Sequence, residues 1–84
     1  MNDLSEKLLN HLFKNRLPDG AYPMADTANI AKRLDVEFNL LAETIKRLEL
    51  LGYVVARKHY DGVKMTEMGH NYYVAEASKN KIGF

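Results

Sequence analysis

Eighty-four residues make one small domain, near the lower limit at which a hydrophobic core holds a fold unaided. The composition, 46% hydrophobic and 27% charged, is that of a soluble globular protein, and the lack of cysteine excludes a disulfide framework and thiolate chemistry. No apolar run approaches the roughly 20 residues that cross a bilayer, and an early acid without a small-residue cleavage pattern reads against a secretory leader, so a cytoplasmic location is expected. The formal net charge of +1 gives no basic surplus, and any affinity for nucleic acid must come from where the charges lie.

Asn2 or Asp3 is expected to cap a first helix, with Glu6 placed to bond back towards Asp3. Leu4, Leu8, Leu9, Leu12 and Phe13 form its buried stripe. Pro18-Asp19-Gly20 is a turn signal that should end this helix near Arg16. Ala21 to Met24 then predicts a short strand, which Pro23 confines to a sheet edge.

Asp26 or Thr27 should cap a second helix running to about Leu34, with Ile30, Ala31 and Leu34 on one face. Asp35-Val36 makes the next turn, because Asp tolerates left-handed backbone and Val36 is placed to wedge inward. A third helix follows from about Glu37 to Leu51. Its Leu41, Ile45 and Leu48 recur at spacings of four and three, and Leu51 is also expected to point inward. Gly52 suits the helix C-terminus, and Tyr53, Val54 and Val55 switch the pattern to strand formers.

Asp61-Gly62 predicts a type I′ turn with positive φ at both positions. That turn pairs Tyr60 with Val63, Lys58 with Met65 and Ala56 with Glu67. It puts Val54, Ala56, Tyr60, Val63 and Met65 on one face, and Arg57, His59 and Lys64 on the other. Thr66 is the expected cap of a last helix, with Glu67 in its first turn and apolar contacts from Met68, Tyr72, Tyr73 and Ala75. Residues 78–84 are expected to fray, with Phe84 free to dock on a partner. Residues 1–84 read as a single domain without internal repeats or linkers.

The run from Ile30 to Val54 resembles the helix-turn-helix of winged-helix bacterial regulators such as the MarR and GntR families. The pieces that carry the resemblance are IAKRLDV, KRLELLGYV and MTEMGHNYY, the last similar to the families' Leu/Ile-Thr-x-x-Gly, and they span Asp26 to Tyr73. The resemblance implies an α+β winged helix-turn-helix ordered α-β-α-α-β-β-α, of small bacterial or phage type, whose first strand pairs with the wing. It also implies a small dimeric regulator that binds double-stranded DNA.

Nothing in the chain assembles a catalytic set. His11, His59 and His70 fall on three different predicted elements without metal-ligand spacing, and each reads as a surface or boundary histidine. His70 and Glu67 lie one turn apart, as a helix-surface ion pair would. No enzyme activity, cofactor or metal is expected. For DNA, the best signal is the hairpin, where Arg57, Lys58, His59 and Lys64 sit near the tip and could reach phosphates or the minor groove.

The third helix is less suited to that task. Asn39 can read adenine, Thr44 can bond a phosphate or touch a thymine methyl, and Lys46 and Arg47 are placed for phosphate. Glu37 and Glu43 would repel the backbone. An alternative reading therefore uses Phe38, Leu40 and Leu50 as a surface for a protein partner on the third helix, with no DNA bound.

Overall fold

The computed structural model describes the backbone of residues 3–82 and the side chains of residues 3–78. Apolar side chains at helical spacing drive three helices together: α1 (Asp3–Lys14), α2 (Thr27–Leu34) and α3 (Phe38–Leu50). A sheet formed by β1 (Ala25–Asp26), β2 (Val54–Ala56) and β3 (Gly62–Met65) packs with them, and α4 (Glu67–Ile82) lies against α1 and β3. The sheet is antiparallel in the order β1-β3-β2. Its core joins Leu8, Leu9 and Leu12 of α1, Ile30 and Ala31 of α2, Leu41, Ile45 and Leu48 of α3, and Val54, Val63 and Met65 of the sheet. The element order and the α+β class are those expected from the sequence.

Local chemistry sets the boundaries. Helix α1 stops at Lys14, slightly before the expected end, as the Arg16 guanidinium lies 4.0 Å from the centre of the Phe13 ring and donates to the Phe13 carbonyl at 2.7 Å. The possible cap at Asn2 lies outside the described residues. The first strand forms at Ala25–Asp26 and not at Ala21–Met24. Leu17 N–H bonds the Ala21 carbonyl, and Asp19 Oδ1 accepts from Ala21 N–H at 2.9 Å, so local turns take the groups that a strand there would use. The strand that does form is an edge strand on β3, pairing Ala25 with Val63 and Asp26 with Gly62.

Asp26 caps α2 through a bond from Ala28 N–H at 3.0 Å. Asp35 ends that helix with φ 56°, and Val36 N–H reaches back to the Ala31 carbonyl at 3.0 Å, leaving Val36 half-buried against the core. At the end of α3, Gly52 takes φ 84° and Tyr53 N–H bonds the Leu48 carbonyl at 3.0 Å. Leu51, expected inside, is 53% exposed. It lies roughly 60° around the helix from Leu48 at about 100° per residue, and the chain turns away at Gly52 before anything covers it.

The hairpin departs furthest from expectation. Asp61 has φ −80°, and Gly62 is not among the residues with positive φ; His59 and Tyr60 carry the left-handed backbone, at φ 60° and 57°. The connection is a short 3-10 turn, Lys58–Tyr60, flanked by Arg57 and Asp61. Asp61 is otherwise engaged: its carboxylate pairs with Arg57 Nε at 3.2 Å and its carbonyl accepts from Thr27 N–H at 3.1 Å. Ala56 therefore faces Val63 instead of Glu67, a slip of four positions. An even slip keeps every side chain on its expected face, which is why Val54, Val63 and Met65 are buried as predicted. A Cβ on Gly62 would meet the Arg57 guanidinium, the far end of a long exposed side chain that has room to move aside.

The junction between α3, the sheet and α4 explains the MTEMG motif. Thr66 Oγ1 donates to the Gly52 carbonyl at 2.6 Å and accepts from Gly69 N–H at 3.0 Å, which caps α4. Thr66 N–H bonds the Tyr53 carbonyl at 3.0 Å. That same carbonyl occupies the space a Cβ on Gly69 would need. Tyr53 then stacks on Tyr72 with ring centres 4.5 Å apart. Tyr72 and Tyr73 are half-buried, whereas Met68 and Ala75 are exposed and contribute nothing to the core. Helix α4 continues through Ser78 to Ile82, into the stretch expected to fray; Gly83 and Phe84, and the docking suggested for Phe84, lie outside the described residues.

Two substitutions test this packing. Leu48→Ala should lower unfolding stability by about 2–5 kcal/mol, because Leu48 is buried in the core. Gly69→Ala should cost about 1–3 kcal/mol, since the obstructing atom is backbone and has little room to yield. Urea denaturation measures both, and a Gly69→Ala protein as stable as wild type would contradict the close approach of Tyr53.

Candidate nucleic-acid interface

Burying Leu41, Thr44, Ile45 and Leu48 turns the opposite face of α3 outward. At about 100° per residue that face carries Asn39, Glu43, Lys46 and Leu50, all exposed. Leu40 and Arg47 lie along one flank. Phe38, Ala42 and Glu49 lie along the other, which faces the hairpin, since Glu49 Oε2 accepts from Ala56 N–H of β2 at 3.3 Å. Thr44 leaves the set of candidate DNA contacts. It is buried, and its hydroxyl donates to the Leu40 carbonyl one turn back at 3.1 Å, so it has no surface to offer a phosphate or a base.

In the hairpin, Arg57, Lys58, His59 and Lys64 are all exposed. Arg57 differs from the others: its guanidinium lies over Gly62 and pairs with Asp61, bracing the tip. The Asp61 carbonyl, bonded to the first N–H of α2, ties that tip to the helical pair. The connection is thus short and anchored.

No protein-family model matches the sequence, and no curated protein matches it either. Among solved structures, a crystal structure of the PcaV transcriptional regulator from Streptomyces coelicolor, in complex with its natural ligand, matches with a TM-score of 0.67 at 19% sequence identity. The alignment covers 98% of this chain and 60% of that one. The fold is a winged helix-turn-helix. The chain spans about 60% of the length of this MarR-family neighbour, and the likeness is one of fold.

Within the winged helix, α2, the Asp35-Val36 turn and α3 are the helix-turn-helix, and β2 with β3 is the wing. Asn39, Lys46 and Arg47 stand on α3, and Lys58, His59 and Lys64 on the wing. Among the described residues, the ion pairs include none from Lys46, Arg47, Lys58 or Lys64 to a carboxylate. The alternative set is exposed as well: Phe38 39%, Leu40 52% and Leu50 81%. These three do not form one patch, since Phe38 and Leu40 point about 160° apart around the helix.

Sequence reasoning missed the bracing role of Arg57 and Asp61. An i, i+4 pair of opposite charge was the available signal, but the Asp-Gly dipeptide drew attention to a tighter turn. It also missed the contact of Tyr22 Oη with His70 Nδ1 at 2.7 Å, which ties the segment after α1 to α4 across 48 residues. No spacing rule links such distant positions.

Away from the helix-turn-helix, α1 and α4 enclose a cleft of about 340 Å³ lined in part by Glu6, Asn10, Tyr72, Tyr73 and Glu76. Tyr73 Oη donates to Asn10 Oδ1 at 2.7 Å. Burial raises the Tyr72 phenol above its ordinary value, with Glu76, Tyr53 and Glu6 adding to the effect. Burial also raises Tyr22, which Arg16 opposes and Tyr73 reinforces, so both rings stay neutral at physiological pH. His11 is held below the ordinary histidine range by burial and then by the charge of Arg33. Among the described residues no three His, Cys, Asp or Glu side chains gather as a metal site, and no helix is long and apolar enough to cross a membrane.

The wing tip gives its own test. His59→Gly should leave stability unchanged or raise it by up to about 1 kcal/mol, because Gly takes left-handed backbone freely. His59→Ile should cost about 1–2 kcal/mol for the same reason. Denaturation of the two variants side by side decides it, and equal stabilities would contradict a left-handed residue 59.

Proposed function

We propose that this winged helix binds double-stranded DNA in transcriptional control, acting in the cytoplasm as a homodimer and without a cofactor. The observation that carries the reading is the set of exposed cations on the two elements that flank a groove in such folds: Lys46 and Arg47 on α3, and Lys58 and Lys64 on the wing. None is spent on an ion pair among the described residues. Their role is to neutralise phosphates, with His59 beside them at the tip. Asn39, in the outward row of α3, is the one side chain there suited to a bidentate bond with adenine. Glu43 in the same row repels phosphate, and Leu50 cannot hydrogen-bond a base. Affinity therefore comes mainly from the backbone of the DNA, with modest sequence discrimination. The transcriptional role of PcaV supports the reading through the shared fold.

Lys58→Glu with Lys64→Glu should weaken binding to all duplexes nearly uniformly and reduce the salt slope by about one for each lost phosphate contact. Arg57 is a poor probe, because replacing it also unbraces the tip. Asn39→Ala should instead flatten discrimination between sequences by about 1–3 kcal/mol. Titration of labelled duplexes at two salt concentrations measures both effects, and no binding at low salt would overturn the reading.

The exposure of Leu40 and Leu50 favours a second reading, in which α3 docks on a protein through its apolar side chains and binds no DNA. Leu40→Glu and Leu50→Glu would then abolish that complex while leaving the fold intact.

A further inference from the structure

Glu37, Glu43 and Glu49 are the acids of residues 37–50, and the first and last have a place in the fold. Glu37 immediately precedes the first turn of α3, where the helix dipole favours negative charge. Glu49 accepts from Ala56 N–H of β2. Glu43 has neither role. It is exposed in the middle of the outward row, four residues beyond Asn39 and three before Lys46. Arg47 stands four positions further on, in the order that favours an ion pair along a helix. Among the described residues, however, the Glu43 carboxylate joins no ion pair and no hydrogen bond.

We infer that Glu43 is a specificity-determining residue that selects a cytosine, through the N4 amino group, in the major groove of a bound duplex; this rests on the DNA-binding reading above. A carboxylate has only acceptors and is repelled by phosphate, so within the groove it needs a donor on a base edge. Guanine presents N7 and O6, both acceptors, and thymine presents O4 and a methyl group. Adenine has a donor at N6, but its N7 acceptor stands beside that group and repels the second carboxylate oxygen. Cytosine presents the N4 amino group with no acceptor of its own in the groove.

Glu43 thus favours one base and disfavours the other three, and the charge that weakens binding to most sequences is what discriminates among them. Such selection works by exclusion as much as by attraction. Along α3 the rise from Asn39 to Glu43 is about 6 Å, against about 3.4 Å for each base pair. The cytosine therefore lies within about two base pairs of the adenine that Asn39 is suited to read.

Sites selected from a pool of randomised duplexes at low salt, by the wild-type chain and by Glu43→Ala, test this. Glu43 is exposed, so the variant should keep its circular dichroism. Wild-type sites should share a cytosine that Glu43→Ala sites lack. The variant should bind a mixed-sequence duplex about threefold more tightly, because a charge that repels phosphate is gone. Replacing the shared cytosine by N4-methylcytosine keeps the base pair and removes the major-groove donor. That change should weaken wild-type binding about tenfold or more and leave Glu43→Ala unaffected. Glu43→Gln should move the preference at that position to adenine. No binding to any duplex by either protein would overturn the DNA-binding reading and this inference with it. Wild-type sites without a shared cytosine, a cytosine that Glu43→Ala still selects, or equal wild-type affinity for the N4-methylated duplex would overturn this inference alone.

Discussion

The Tyr53 carbonyl meets the bare Cα of Gly69, and the Thr66 hydroxyl bridges Gly52 to the first turn of α4. At this junction the end of α3, the start of β2 and the start of α4 share a few backbone groups with no space for another atom. The contact fixes where α3 ends and the direction in which the wing leaves. It also sets α4 across α1, so that Tyr72 stacks on Tyr53 and Tyr73 reaches Asn10. The core supplies most of the stabilisation, because burial of apolar surface is the dominant favourable term. Apolar side chains alone leave the mutual angle of helix and wing loosely specified, whereas three directed hydrogen bonds and a steric limit do not.

A second anchor acts at the far end of the wing. The Arg57–Asp61 pair is largely solvent-exposed and contributes little stability by itself. Its effect is geometric: it closes a loop whose His59 and Tyr60 are held left-handed, while the Asp61 carbonyl fastens that loop to the start of α2. Wing and helix-turn-helix are thereby braced at both ends. A rigid placement of Lys58 and Lys64 relative to Lys46 and Arg47 suits phosphate contacts, which depend on register along a duplex. The same rigidity leaves the α3 surface as its sequence made it, with an acid and a leucine in the outward row.

The fold was legible because its signals are local and repeated. The spacing of Leu41, Ile45 and Leu48, the cap at Asp26, the left-handed Asp35 and the Thr66 cap each depend on residues within a few positions. The errors arose where a distant partner decided the outcome. Asp61-Gly62 looks like a two-residue turn until Thr27 and Arg57 take up Asp61. Leu51 fits the apolar period, but no element comes to cover it. Thr44 is polar, yet the rotation of α3 that buries Ile45 and Leu48 buries it as well. The candidate DNA-contacting side chains were legible as residue types; which of them are free depended on that rotation and on the Arg57 brace.

The central claim is that α3 and the wing together form the face that meets DNA. Nitrogen-15 chemical-shift mapping of the full chain during titration with duplex DNA at low salt tests it most directly. The account predicts that the largest shifts fall at Asn39, Lys46 and Arg47 and from Lys58 to Tyr60, and that they recede as salt is raised. Shifts confined to α1 and α4, or none at any duplex concentration, would contradict it.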